Sequence, residues 1–194
     1  VALQIGYWRR FVPSLELLRE GIESGHFGDV LTLSCLQWDG EPPSSAFRAR
    51  SGGVFIDMGV HEFDQARWLT GSDFTTMSAF ASPAISDPDV SDDPDSAQVL
   101  CDTTSGATVL VSLGRHYSGG DMASVEVFGS KDHVLSVFLD PDDGERAQLE
   151  ALVRQARSFA EYATGGPCRG ASVEDAIAAL DAAGRAAAQL AERR

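Results

Sequence analysis

Asp57 and His61 stand four residues apart in the segment Gly52-Gly53-Val54-Phe55-Ile56-Asp57-Met58-Gly59-Val60-His61-Glu62-Phe63-Asp64. On a helix that spacing puts both side chains on one face, one turn apart, and Asp64 continues the face. A carboxylate beside an imidazole is the pair a general base needs. The carboxylate fixes the tautomer and steadies the imidazolium when the ring takes a proton. The Gly52-Gly53 pair lets the backbone turn tightly and lets a ligand come close. Plainer roles compete: a satisfied histidine, a metal-binding set of Asp57, His61 and Asp64, or Asp57 as a helix N-terminal charge. His61-Glu62 opens like the zinc-protease pattern, but Gln65 stands where its second histidine belongs.

A second polar cluster, His116-Tyr117-Ser118-Gly119-Gly120-Asp121, falls between two predicted strands, where a loop can project side chains into a cleft. Gln37 and Asp39 close a predicted strand just before a proline loop. Arg9-Arg10 is a candidate anion contact, with a salt bridge as its ordinary alternative. The sequence contains no Gly-x-Ser-x-Gly, no P-loop and no Gly-x-Gly-x-x-Gly. A serine hydrolase has no support, and no phosphate cradle is recognisable.

The elements that must carry these residues read as one α+β domain. Residues 3–7 are a short strand candidate. Pro13-Ser14 opens a helix with Leu15, Leu18 and Ile22 on one side and Gly25 as its stop. Residues 30–38 are rich in strand formers. Residues 40–50 read as a loop around Pro42-Pro43, and a helix follows the glycine pair as far as Leu69, closed by Gly71. Strands are predicted at 77–82, 97–102, 107–113, 124–128 and 134–139. Short turns between the later ones suggest an antiparallel meander. Two helices finish the chain. The first carries an apolar stripe of Leu149, Leu152, Val153, Ala156, Phe159 and Ala160. Ser172-Val173-Glu174-Asp175 is a capping box for the second, whose alanines suit close packing. The expected architecture is a largely antiparallel open sheet with helices on one face.

With 194 residues and 43% apolar composition, the chain can bury a sizeable core. Most of the net charge of −14 sits in residues 72–144, which hold 2 basic and 13 acidic side chains. Such a surface argues against nucleic acid and anionic membranes as partners. Five aspartates with three prolines in residues 83–96 read as a mobile acidic loop, dispensable over 85–96. Their spacing is not that of an EF-hand, and no metal site is expected. Cys35, Cys101 and Cys168 form no Cys-x-x-Cys, which suits a reducing cytoplasm. No apolar run reaches membrane-spanning length and no export leader opens the chain.

The order of these pieces resembles the glucose–fructose oxidoreductase / inositol dehydrogenase / MocA family. The resemblance rests on Gly6-Tyr7-Trp8-Arg9-Arg10-Phe11, the Gly52-Gly53…Asp57…His61…Asp64 run, Arg67-Trp68-Leu69-x-Gly71 and Val125-Glu126-Val127-Phe128-Gly129. It implies that residues 1–194 are the C-terminal substrate-binding and oligomerisation domain of a two-domain dehydrogenase. The NAD or NADP would sit in an N-terminal Rossmann domain that this chain lacks. The Val1 start, the missing glycine motif and the absence of a Glu-Lys-Pro lysine agree, so the chain alone is expected to be inactive and to hold no cofactor. By the same resemblance His61 takes a proton from a hydroxyl of a sugar or cyclic polyol, and Asp57 partners the substrate and the absent lysine. Gln37 and Asp39 fall where inositol dehydrogenases carry His-x-Asn. Tyr117 and Asp121 fall near a Tyr-Gly-Tyr-Asp loop, one residue further from Glu126. Arg10 joins them as a candidate substrate contact. A homodimer or tetramer is expected. The competing reading is a ligand-sensing domain without turnover.

Overall fold

The computed structural model describes residues 1–82, 93–143 and 145–192. Its centre is a six-stranded sheet in the order β2-β3-β4-β1-β5-β6. The strands are β1 Val30–Trp38, β2 Phe74–Ala81, β3 Ser96–Thr103, β4 Thr108–Gly114, β5 Met122–Gly129 and β6 His133–Leu139. All neighbours are antiparallel except β1 and β4, which pair in parallel. The expected meander is therefore interrupted: β1 inserts between β4 and β5. Its Leu33 and Cys35 are fully buried, and a central position covers them as an edge position could not. The chain leaving β4 must cross the end of β1 to reach β5, and this crossing creates the site described below.

One sheet face is covered by α1 (Pro13–Glu23), α3 (Val60–Thr70) and α5 (Val173–Glu192). Pro13 occupies the first turn of α1, where its missing N–H costs nothing, and Leu15 and Leu18 enter the core. Gly71 ends α3 in the left-handed region, as a C-terminal glycine stop does. Phe63 of α3 meets Phe74 of β2 edge to face at 5.6 Å. The capping box forms as expected: the Asp175 N–H donates to Ser172 Oγ at 3.1 Å, and the Ser172 N–H donates to Asp175 Oδ2 at 2.9 Å. Ala179, Ala182, Ala183 and Ala186 let α5 lie close.

Several elements differ from expectation. Residues 3–7 form no strand; Ile5 makes a single antiparallel bridge to Ala171. The expected loop at 40–50 holds a short helix, α2 (Ser45–Ser51), capped by Ser44. The acidic stretch divides. Residues 83–92 lie outside the described residues, but Asp93 and Asp95 are buried because Arg48 binds both of them. These two are packed structure and not part of a mobile loop. Helix α4 (Arg146–Ala163) is turned the other way from its composition. It buries Ala151 and Ser158, while Leu149, Leu152, Val153 and Phe159 face outward.

The other sheet face is open and partly apolar. Phe80, Leu100, Phe128, Leu135 and Val137 are all exposed on it.

Candidate active site

Because β1 and β4 run parallel, the segments that follow them leave the sheet at the same end. Gln37 and Asp39 close β1, and Arg115, His116, Tyr117 and Asp121 belong to the crossing that follows β4. Backbone bonds pin the two segments together. The Asp39 N–H donates to the Gly114 carbonyl at 2.9 Å, and the Tyr117 N–H donates to the Asp39 carbonyl at 2.9 Å. The Asp121 carboxylate accepts the Gly40 N–H at 2.8 Å. A Cβ on Gly40 would come within 2.9 Å of the Gly120 backbone, so the close approach requires glycine.

The third wall is the helical segment. Gly52 and Gly53 both lie at positive φ, 84° and 86°, and reverse the chain after α2. A π-helical turn, Phe55–Gly59, follows and runs into α3. The wider turn changes the angular step between Asp57 and His61 from that of an α-helix, with its roughly 3.6 residues per turn. Among the described residues the two share no hydrogen bond. Asp57 is instead held by Arg115, with Nη1 at 3.1 Å from Oδ2, and His61 Nδ1 is buried without a partner. The expected carboxylate–imidazole dyad is thus replaced by two separate groups. Arg115, overlooked in the sequence, is fully buried between Asp57 and Asp93.

The electrostatics follow from this packing. Burial, reinforced by the positive charge of Arg9, pushes His61 down to about 4, so its ring is neutral at physiological pH. Burial raises Asp57, Arg115 opposes that, and Asp93 adds to it. Burial also raises Asp39; the Gln37 hydrogen bond opposes, Asp121 raises it further, Arg115 lowers it and Asp57 raises it. Asp39, Asp57, Asp121 and Arg115 therefore occupy one electrostatic neighbourhood. The ring of Tyr7 stands edge-on to His61 at 5.6 Å, a contact that its place in the Gly6–Phe11 motif does not by itself indicate.

Other candidates are tied into the scaffold. The Gln37 side chain is engaged at both ends: its oxygen accepts from Arg9 at 2.6 Å and its nitrogen donates to Asp39 at 3.1 Å. Arg9 also pairs with the fully buried Glu62. Arg10 grips both oxygens of Asp64, at 3.0 and 2.5 Å, and reaches Asp175 at 3.1 Å. It fastens the N-terminal turn, Trp8–Phe11, to α3 and α5. A guanidinium so occupied does not fit the substrate contact assigned to it. Asp64 likewise belongs to this clamp. Tyr117 is half-buried, and its backbone is what joins the two loops. Among the described residues no group of three His, Cys, Asp or Glu could hold a metal ion, and no helix is long and apolar enough to cross a membrane.

Residues 15–135 match the model of the GFO/IDH/MocA C-terminal domain, and the chain belongs to this family. The rhizopine catabolism protein MocA of Rhizobium meliloti is 49% identical over 193 residues, covering 100% of this chain and 61% of that protein. An inositol 2-dehydrogenase of Rhizobium meliloti strain 1021 is 32% identical over 211 residues, covering 99% of the chain and 64% of that protein. A crystal structure of a "probable dehydrogenase" from Thermotoga maritima superimposes with a TM-score of 0.90 at 27% identity, over 100% of this chain and 64% of that one. The chain therefore spans a little over three fifths of the length of these relatives, 61–64%.

A dinucleotide pyrophosphate is ordinarily seated on a glycine-rich turn between a strand and a helix. Gly52-Gly53 lies between α2 and the π turn instead, so these residues do not fit that role.

Proposed function

We propose that this chain is the substrate-binding and proton-handling part of an NAD(P)-dependent oxidoreductase acting on a cyclic polyol or sugar. The observation that carries the reading is a buried, neutral imidazole in the same helical segment as Asp57, one of the half-buried carboxylates gathered about Arg115. A ring held at about 4 is unprotonated at neutral pH and can take the proton of a substrate hydroxyl. Asp57 and Asp39 are acceptors for hydroxyl hydrogens, and carboxylates accept such bonds strongly in a dry site. Asp121 and Tyr117 complete the rim. The names of the relatives, inositol 2-dehydrogenase among them, support the substrate class.

The nucleotide would be held by a segment outside this chain, a Rossmann domain by the family resemblance. The outward stripe of α4 offers a surface for such a segment to cover. The open sheet face would pair with a second copy in a dimer or tetramer, since large exposed apolar patches mark interaction surfaces. The free Cys35, Cys101 and Cys168 suit a cytoplasmic protein.

The test is turnover. The whole protein is assayed with myo-inositol, its stereoisomers and simple sugars, with NAD+ and NADP+ in turn. The expected result is reduced cofactor from at least one pair, and a loss of about 10²–10⁴ in kcat in His61→Ala, the usual worth of a general base. No turnover of any polyol or sugar with either cofactor refutes the reading.

A further inference from the structure

We propose that Arg115 is a positioning residue for the reaction inferred above: one arm is anchored on Asp93 while the other holds the Asp57 carboxylate at the mouth of the site. The inference rests on that functional reading for the meaning of Asp57, but its geometry stands apart from it.

Arg115 follows directly on β4, and its N–H donates to the Asp95 carbonyl at 2.8 Å, so the sheet fixes its backbone. Its side chain is wholly buried, with Nη1 3.1 Å from Asp57 Oδ2 and Nη2 3.2 Å from Asp93 Oδ2. The two carboxylates are not equivalent. The Asp93 side chain is 4% exposed and that of Asp57 21%. Asp93 also accepts from Arg48 Nε at 2.9 Å and from the Val54 N–H at 2.8 Å. It therefore ties the residue after the glycine pair to the same guanidinium that holds Asp57, three residues further on. The backbone and the side chain of Asp57 are referenced to one rigid anchor. Asp57 receives this contact on Oδ2, which leaves Oδ1 for a ligand. A planar fork can bridge two carboxylates in this way; a lysine ammonium supplies charge without the fork.

The charged and titratable groups that act on Asp57 are Arg115 from the end of β4 and Asp93 before β3, and Asp39 after β1 feels its charge in turn. Arg115 is the cation that offsets the effect of burial on Asp57, and Asp93 acts against it. Removing each should therefore move Asp57 in opposite directions.

The experiment is a carbon-detected NMR titration of the Asp57 carboxyl in the whole protein. Arg115→Gln is expected to raise the midpoint by about one pH unit or more, the range an adjacent opposite charge commands. Arg115→Lys should restore most of it, while in the whole protein it lowers kcat, because charge returns without the two-armed geometry. Asp93→Asn should lower the midpoint, and it carries the test if Arg115→Gln does not fold. A folded Arg115→Gln with an unmoved Asp57, or an Asp93→Asn midpoint that stays or rises, overturns the proposal. The titration needs no substrate, so failure of the whole protein to turn over a polyol would sink the functional reading and leave this result legible.

Discussion

Replacing His61 by Phe should make the folded chain less sensitive to acid. His61 is held near 4 in the folded chain, against an ordinary 6.5. Its folded value lies below its unfolded value, so the unfolded chain binds the proton more readily between the two. The contribution of His61 is therefore undiminished above the unfolded value and is lost as pH falls toward the folded one. At about 1.36 kcal/mol per pH unit, the gap caps this loss at about 3 kcal/mol. Between about pH 7.5 and about pH 5 the expected loss is roughly 2 kcal/mol. Phe keeps an aromatic edge against Tyr7, which faces the ring at 5.6 Å, and carries no proton. Asp39, Asp57, Glu62 and Asp64 are all raised and act with the opposite sign, but their contribution is common to both proteins. The assay is urea unfolding of wild type and His61→Phe at both pH values. The difference in unfolding free energy should shift by about 2 kcal/mol in favour of the variant at the lower pH. Parallel pH dependences would show that His61 titrates as a free histidine and that its burial has been misread.

Glu62→Leu should cost roughly 3–5 kcal/mol, because it strands the buried Arg9 guanidinium; a change within about 0.5 kcal/mol in denaturant unfolding would refute the pairing. Leu152→Ser with Phe159→Ser on α4 should leave the melting temperature within about 2–4 °C, the equivalent of about 1 kcal/mol, and should reduce binding of a hydrophobic dye; a collapse of stability would mean the stripe is packed. Leu100→Lys on the open sheet face should shift sedimentation toward the 20.7 kDa monomer, and a wild-type chain that is already monomeric at micromolar concentration would remove that face as an interface.

Periodicity and punctuation carried the regular elements. Pro13, Gly25, Gly71 and the Ser172–Asp175 box mark helix ends by local backbone chemistry, and local chemistry is legible in a sequence. The insertion of β1 between β4 and β5 was not, because strand order depends on which faces must be buried together, and Leu33 and Cys35 express that only in three dimensions. The orientation of α4 was hidden for a related reason. Its apolar stripe is plain in the sequence, but which side meets the protein is decided by Gln155 against Gly6 and by the Arg154–Glu16 pair. The site divides in the same way. Asp57 and His61 could be picked out by type and spacing. Arg115 could not, since a lone arginine after a strand carries no pattern, and its partners lie 58 and 22 residues away.

Among the described residues four arginines are buried, Arg9, Arg10, Arg48 and Arg115, and they account for how the site is held. Each pairs with carboxylates from another part of the chain: Glu62, Asp64 with Asp175, Asp93 with Asp95, and Asp57 with Asp93. Buried ion pairs add little net stability, because desolvation offsets most of their attraction. Their directionality instead fixes the N-terminal turn, the π turn and the two strand ends in one geometry. Within that frame the Nε atoms of Arg9 and Arg115 lack partners among the described residues, and three groups outside the arginines keep spare capacity. Asp57 offers a free oxygen, Asp39 is raised toward its neutral form by burial and by neighbouring carboxylates, and His61 has an orphaned Nδ1. Unsatisfied polar groups are costly in a protein interior, and a ligand rich in hydroxyl groups would relieve that cost at Asp57 and Asp39 while presenting a proton to His61. On the function proposed above, the arginine frame fixes the geometry, and the spare capacity of Asp57, Asp39 and His61 is what a polyol would complete.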